Sequence, residues 1–453
     1  MALTTSPQSS STLLPCPAFI SGAPGYDEAR GAWNAAVDQR PAMVCYPADA
    51  AEVAAVMRLA RDAGLRVVPQ ATGHNASPLG SLADCILLKT SALTGVTVDP
   101  VRRTARVGAG VLWDDVVTAA APHGLTALHG SSPDVGVVGY SLGGGISWLG
   151  RLYGLQSSSV TAVELVLPDG GHVRCDADHD PELFWALRGG GGSFGVVTAL
   201  EFELYPITTV YGGAMVWDIK EAARVVPAWL RWTQDAPDAV TTSLRLLAMP
   251  DFPEVPAPIR GRRILMIDGA VVADEPEARE LLRPLRVAGP EIDMFGPMPA
   301  PALVRMHGDP EEPMPGASDT ALLGPLDADG AAAFVEAGTP TEGGPLMFAE
   351  LRQLGGALGR PSPYGGALTH LDGDFCAFAF GLDAGPHAGA PVEEATAAVI
   401  EALAPWHSGK RYMNFAERSG DASGIFADDT HARLVALRDR VDPDGLILPN
   451  HAL

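Results

Sequence analysis

Among the side chains able to do chemistry, His74 has the most telling surroundings. It sits in P-Q-A-T-G-H-N-A-S, residues 69–77, just past a stretch that reads as a strand and among small neighbours. A histidine so placed can act as a ligand, a general base or a nucleophilic attachment point, or it can be an ordinary hydrogen-bonded loop residue. Spacing alone leaves these open. Glycine-dense segments at 72–80, 130–145 and 189–195 bring a second kind of chemistry. Runs such as Gly143-Gly144-Gly145 and Gly189-Gly190-Gly191-Gly192 let main-chain N–H groups approach an anion with no Cβ in the way, which suits a pyrophosphate. Neither run reads G-x-G-x-x-G at the opening of a helix after a strand, so a Rossmann dinucleotide site is unsupported.

The elements that must position these residues follow from periodicity. Residues 52–64 carry Val53, Val56, Met57 and Ala60 at helical spacing, with Gly64 where a C-cap belongs. Short strands are predicted at 65–69, 85–88 and 105–107, a helix at 113–121, and further strands at 160–167 and 201–204. After Pro206 the glycine signature fades. A second region, 207–408, has Pro- and Gly-rich connections and strand-like stretches at 264–267, 346–351 and 375–381. A helix-like run at 427–441 closes the chain. This alternation fits a mixed α+β architecture with two subdomains better than a regular βαβ series.

A chain of 453 residues exceeds what one core usually serves, so two domains are expected. The formal net charge of −23 repels phosphate backbones and anionic lipid, which argues against nucleic acid and membrane partners. Five scattered cysteines without a C-x-x-C pair indicate neither a disulfide framework nor a zinc site, so no metal is expected. Residues 1–15 have neither the basic start nor the apolar stretch of a signal peptide. No apolar run approaches the ~18 residues that span a bilayer. A cytoplasmic location, as a monomer or homodimer, is expected.

One ordered set of motifs goes further. T-G-H at 72–74 is followed by S-P-D-V-G at 132–136, G-G-G at 143–145 and R-L-Y-G-L at 151–155. Then come E-L-F-W-A-L-R-G-G-G-G-S-F-G-V-V-T at 182–198, Y-M-N-F at 412–415 and D-P-D-G at 442–445. The series resembles the berberine bridge enzyme-like FAD-linked oxidases of the vanillyl-alcohol oxidase fold, over about 40–206 and 410–450. The resemblance implies an α+β fold: a two-subdomain FAD-binding domain of that type with an inserted α+β substrate domain. Residues 1–206 would form its first part, with 1–39 a loose lead-in. Residues 207–409 would be the substrate-binding domain, and 410–453 would return to the FAD-binding domain.

By the same resemblance, His74 attaches to the 8α-methyl of the flavin, and Gln70, Ala71, Thr72, Gly73 and Asn75 lie along the FAD pyrophosphate. Ser132 stands where many relatives carry a second attachment cysteine; a hydroxyl is a much weaker nucleophile than a thiolate, so FAD is expected to be covalent through His74 only. Val135 matches a position that gates oxygen, valine accompanying oxidases. Gly136, Tyr140, Gly143 and Gly144 wrap the flavin, Gly190, Gly191 and Val196 continue the cradle, and Tyr412 and Asn414 reach the flavin from the C-terminal segment. Departures are equally informative. Q-A-T-G-H replaces R-S-G-G-H, losing an arginine, and Phe415 stands where a tyrosine base is common. Replacement bases are sought at Glu350, Arg352, Tyr364 and His370. The activity implied is oxidation of a small alcohol, amine or natural-product intermediate, with hydride passing to the flavin and O2 reoxidising it to H2O2. A dehydrogenase using another acceptor, and a cyclase or isomerase with little net redox turnover, are the alternatives.

Overall fold

The computed structural model describes residues 14–418 and 422–453. Three sheets carry the architecture. The first, in the order Ala18–Ile20, Met43–Cys45, Cys85–Lys89, Arg66–Gln70, pairs its last three strands in parallel. Helix Ala50–Ala63 forms the crossover between two of them. The Asp49 carboxylate accepts from the Glu52 N–H at 2.9 Å to start this helix, and Gly64 ends it at φ 67°, where a side chain would be strained. Val53, Val56, Met57 and Ala60 are buried beneath it.

The second sheet has five strands, Val96–Asp99, Thr104–Gly108, Val196–Glu203, Val160–Val166 and His172–Asp176, all antiparallel. It shares one core with the first sheet and with the end of the chain, through Met413, Phe426, Leu434, Leu437 and Ile447. The C-terminal segment also binds by backbone: Val67 N–H donates to Leu446 O at 2.7 Å, and Leu448 N–H to Val67 O at 2.9 Å.

The third sheet is larger. Its path runs Ile292–Asp293, Thr209–Asp218, Arg263–Val271, Val240–Ala248, Leu346–Gln353, Phe375–Leu382 and Gly316–Leu323, with Gly296–Pro299 added beside Thr209–Asp218. Because strand side chains alternate between faces, each strand divides its residues in two. Leu244, Leu246, Leu265, Ile267, Ala349, Leu351, Ala377 and Ala379 pack with Val226, Trp229, Phe334 and Val399 of the covering helices. The opposite parity carries Ser243, Arg245, Asp268, Phe348, Glu350, Arg352, Phe378 and Phe380. This second face looks toward the glycine-rich region. Arg151, of the R-L-Y-G-L motif, bolts the two regions together: its guanidinium donates to the carbonyls of Val240 at 2.7 Å, Ala236 at 2.9 Å and Leu354.

The lead-in differs from expectation. Residues 1–13 lie outside the described residues, but Ala18–Ile20 is an edge strand paired antiparallel with Met43–Cys45. Trp33 N–H donates to Thr72 O at 2.9 Å, so the segment covers the His74 loop instead of trailing from it. A three-residue strand lacks enough periods to show in a sequence pattern. No helix among the described residues is long and apolar enough to cross a membrane.

Candidate functional site

Between the glycine-rich region and the charged face of the third sheet lies a cavity of about 420 Å³. One wall is the loop after strand Arg66–Gln70, with Gln70, Ala71, Thr72, Gly73, His74 and Asn75. Ser132, Val135, Gly136, Tyr140 and Gly143 form the next stretch, Gly191 and Gly192 continue it, and Tyr412 and Asn414 enter from the C-terminal segment. Three expected contacts stand back from this wall. A Cβ at Gly190 would meet Ala186 O at 2.3 Å, and one at Gly144 would meet Leu368 at 3.0 Å, so both glycines serve close packing. Val196 is fully buried in its strand, while its neighbour Val197 lines the cavity.

The wall is stiff. Asn75 Nδ2 donates to the carbonyls of Met413 at 3.2 Å and Asn414 at 3.3 Å. Asn414 Nδ2 in turn donates to Tyr140 O and to Tyr412 Oη, both at 2.9 Å. Tyr412 Oη also accepts from the N–H groups of Gly145 at 3.0 Å and Ile146 at 3.1 Å. Its hydroxyl therefore fixes the glycine run and is not free to take a proton from a ligand. Beneath Gln70, the Lys89 ammonium donates to Gln70 Oε1 at 2.5 Å and to Gly31 O at 2.6 Å. Burial pulls Lys89 down to about 8. A cation thus remains behind the loop despite the missing arginine.

His74 is held from three sides. Its ring stacks on Trp33, with centroids 4.2 Å apart and planes 17° apart. Thr72 Oγ1 lies 2.8 Å from Nδ1, and Asp134 Oδ2 lies 3.5 Å from Nε2. Ser132 Oγ donates to Asp309 Oδ2 at 2.7 Å. His74 Nε2, Asn75 Oδ1 and Asp134 Oδ1 are buried without a hydrogen-bond partner. Orphaned polar atoms of this kind call for a bound group or ordered water. A Cβ at Gly143 would fall 1.8 Å from Asn414 Oδ1 and one at Gly136 2.9 Å from Ala71 Cβ, so glycine at these two lining positions lets the segments of the wall close on one another. The wall fits a ligand that lies close against backbone, as the expected FAD would.

Opposite stands a cluster of buried charges that the sequence reading only half anticipated. Asp268 accepts from His307 Nδ1–H at 2.8 Å and from Arg245. Arg352 Nη2–H donates to His307 Nε2 at 2.8 Å, and Arg352 Nε–H to Glu350 Oε1 at 2.8 Å. Ser243 Oγ–H donates to the same carboxylate oxygen at 2.6 Å. An arginine only donates, so His307 is here the neutral ring with its proton on Nδ1. Burial and Arg245 pull the His307 pKa down; Asp268 and Glu350 outweigh them and raise it above the ordinary value. Burial would raise Glu350, but Arg352 and His307 prevail and hold it well below the usual carboxylate range. Phe348, Phe378, Phe380 and Phe415 line the rest of this wall. Arg352 lies 5.2 Å above the Phe415 ring.

Of the four expected replacement bases, then, Glu350 and Arg352 face the cavity, and two do not. Tyr364 is 75% exposed, in a surface turn whose carbonyl accepts from Arg188. His370 is outside the cavity lining and pairs with Asp372 at 2.9 Å and Thr369 at 2.8 Å. Both follow strand Leu346–Gln353 by more than ten residues, past a turn that ends its alternation. Arg245, Asp268 and His307 were missed. For Arg245 and Asp268 the available signal was a charge in the middle of a strand, as in V-T-T-S-L-R-L-L-A and R-I-L-M-I-D-G-A-V, and His307 carried none.

Comparison with known proteins agrees with this geometry. A family model described as an FAD binding domain matches residues 41–176. The (R)-6-hydroxynicotine oxidase of Paenarthrobacter nicotinovorans is 33% identical over 49% of this chain and 49% of its own length. The FAD-linked oxidoreductase YvdP of Bacillus subtilis is 29% identical over 69% and 68%. The chain's alignment thus spans about half the length of the first of these relatives. Among solved structures, 6-hydroxy-D-nicotine oxidase of Arthrobacter nicotinovorans superposes with a TM-score of 0.84 at 23% identity, covering 96% of this chain and 98% of that one. A glucooligosaccharide oxidase of Acremonium strictum, described with a 6-S-cysteinyl, 8α-N1-histidyl FAD, gives 0.81 at 20% identity, covering 96% and 97%. Residues 41–176 thus match an FAD binding domain, and the fold of the whole chain is the one seen in 6-hydroxy-D-nicotine oxidase and the glucooligosaccharide oxidase.

Proposed function

We propose that the protein is an oxidase that binds FAD through His74 and removes two electrons from a small apolar alcohol, amine or related natural-product intermediate, with O2 as the final acceptor. The observation that carries this reading is the pairing of the two walls. A glycine-lined, partly unsatisfied groove faces a buried Asp268–His307–Arg352–Glu350 cluster across one cavity. Bound FAD supplies the two-electron acceptor. The chain's own residues supply the rest. The phenylalanines exclude water and hold an apolar substrate body, and Arg352 with Arg245 anchors an electron-rich atom beside them. His307 Nε2 is the acceptor for the O–H or N–H proton that must leave as the substrate is oxidised, once Arg352, which holds that nitrogen at 2.8 Å, turns its N–H to the substrate. Asp268, on Nδ1, orients the ring and strengthens it as a base. Glu350 holds its proton too weakly for that task and instead balances Arg352. The cyclase alternative drew on the missing hydroxyl at Phe415. His307 contacts the guanidinium that lies over Phe415, so a proton acceptor is present and oxidation is the better reading.

The test is anaerobic mixing of the purified yellow protein with a panel of aromatic secondary alcohols and amines, followed by admission of air. Bleaching near 450 nm (about the flavin absorption band), then recovery with one peroxide per turnover, is expected. Bleaching with no recovery in air would make it a dehydrogenase, and conversion of a substrate without bleaching would overturn oxidation altogether.

A further inference from the structure

Asp134 is the unexplained member of the His74 site. It lies within S-P-D-V-G, and its carboxylate is committed on one side only: Trp33 Nε1–H donates to Oδ2 at 2.5 Å. Its Oδ1 is buried with no hydrogen-bond partner, and so is His74 Nε2, whose near neighbour is the Oδ2 that Trp33 holds. The two side chains stand 3.5 Å apart, slightly beyond a good hydrogen bond. Neither group reaches bulk water freely, since their side chains are 23% and 16% exposed. Trp33 serves both partners, stacking on the His74 ring while its N–H holds the carboxylate. The arrangement fixes the plane of the imidazole and puts a carboxylate at one of its nitrogens. Thr72 Oγ1 sits 2.8 Å from the other.

We infer that Asp134 is the base that makes His74 nucleophilic for its own covalent attachment to FAD, with Trp33 as the positioning residue. This rests on the reading of His74 as the attachment site. Two neutral tautomers of His74 compete, and a carboxylate beside Nε2 selects the one with its proton there. Nδ1 then carries the lone pair, accepting from the Thr72 hydroxyl until that hydroxyl turns away. The C–N bond forms between Nδ1 and the 8α-methyl carbon as Asp134 receives the Nε2 proton. One methyl C–H and one imidazole N–H are replaced by the new bond. The two electrons and two protons released reduce O2 to H2O2, so attachment is self-catalysed and requires air. Nearby, Ser132 is engaged with Asp309 and donates no comparable nucleophile.

The experiment reads attachment and not turnover. Wild type, His74→Ala, Asp134→Asn and Asp134→Ser are purified and incubated with excess FAD in air. FAD content is read from the native spectrum, and the covalent fraction from the acid-precipitated pellet over time. Asparagine keeps the size of the side chain and its acceptor for Trp33, but it cannot take the proton. The expected result is a wild-type pellet that is yellow and an Asp134→Asn protein that binds FAD, with its attachment rate lowered at least about tenfold. Trp33→Phe, which keeps the stack and loses the N–H, should fall between them. Attachment at the wild-type rate in either Asp134 variant would overturn the inference while leaving His74 as the site. A colourless wild-type pellet would overturn the attachment reading itself, and the role of Asp134 with it. Should Asp134→Asn bind no FAD, Asp134→Ser decides by the same rate.

Discussion

Asp268→Asn isolates the electrostatics of the cavity's polar wall. Asp268 is fully buried and accepts from two donors, Arg245 and His307 Nδ1. Asparagine fills the same space without the charge. Arg245 then keeps only neutral partners, the amide oxygen, the His307 carbonyl at 3.2 Å and the Met266 sulfur at 3.4 Å, and loses its counter-charge. Glu350, paired in register with Arg245 on the next strand, is already committed to Ser243 and Arg352. Removing one partner of a buried ion pair costs about 3–5 kcal/mol. Arg245→Met, the reverse cut, should cost less, about 1–3 kcal/mol, because the stranded carboxylate still has His307 as a hydrogen-bond partner. That ring can also take a proton. A histidine whose folded pKa is raised above its unfolded value of about 6.5 stabilises fully below that value and loses the contribution as pH rises through the folded pKa. Arg245 is one of the groups that pull His307 down, so its removal raises the folded pKa further and widens this window. Urea unfolding of the two variants, followed by tryptophan fluorescence at about pH 6 and about pH 8.5, reads both effects. The expected order is Asp268→Asn well below Arg245→Met, with the latter's deficit growing toward the higher pH. An Asp268→Asn loss under about 1 kcal/mol, or an Arg245→Met deficit flat with pH, would refute the reasoning.

Other outcomes follow from the same geometry. Gly143→Ala puts a Cβ 1.8 Å from Asn414 Oδ1, so Asn414 must swing away from Tyr140 O and Tyr412 Oη; FAD retention measured after gel filtration should drop, and Asn414→Ala in the same chain should restore folding but not retention. His307→Gln should lower the rate of anaerobic flavin reduction by about 10²–10⁴-fold and remove the histidine limb of its pH profile, while FAD content stays at the wild-type level. Lys89 has a folded pKa near 8 against about 10.4 unfolded, so it adds stability as pH rises between those values, and Lys89→Met should flatten that part of the stability-against-pH curve.

How much of this was legible in the sequence depended on distance along the chain. The His74 loop, the Ser132–Gly143 stretch and Tyr412–Asn414 were named through the resemblance that their short motifs carry, and the structure brings the three segments to one cavity. Strand Leu346–Gln353 was legible too, and its alternation rightly sent Glu350 and Arg352 to one face. The polar wall was not, because it is made by register. Antiparallel pairing sets Ser243 opposite both Asp268 and Arg352, and Arg245 opposite Glu350, across gaps of 25 to about 110 residues. His307 arrives from a loop after helical turn Ala300–Arg305, where no periodicity points to it. Tyr364 and His370 were misplaced by extending a strand's alternation past its end. Trp33, hidden in a segment without recognisable period, proves to be the ring packed on His74.

The central claim is that this chain carries FAD bonded to His74, and acid precipitation of the purified protein tests it most directly. A yellow pellet from wild type beside a colourless pellet from His74→Ala is the predicted result. Flavin released to the supernatant by both proteins, or a wild-type protein that binds no FAD at all, would contradict it.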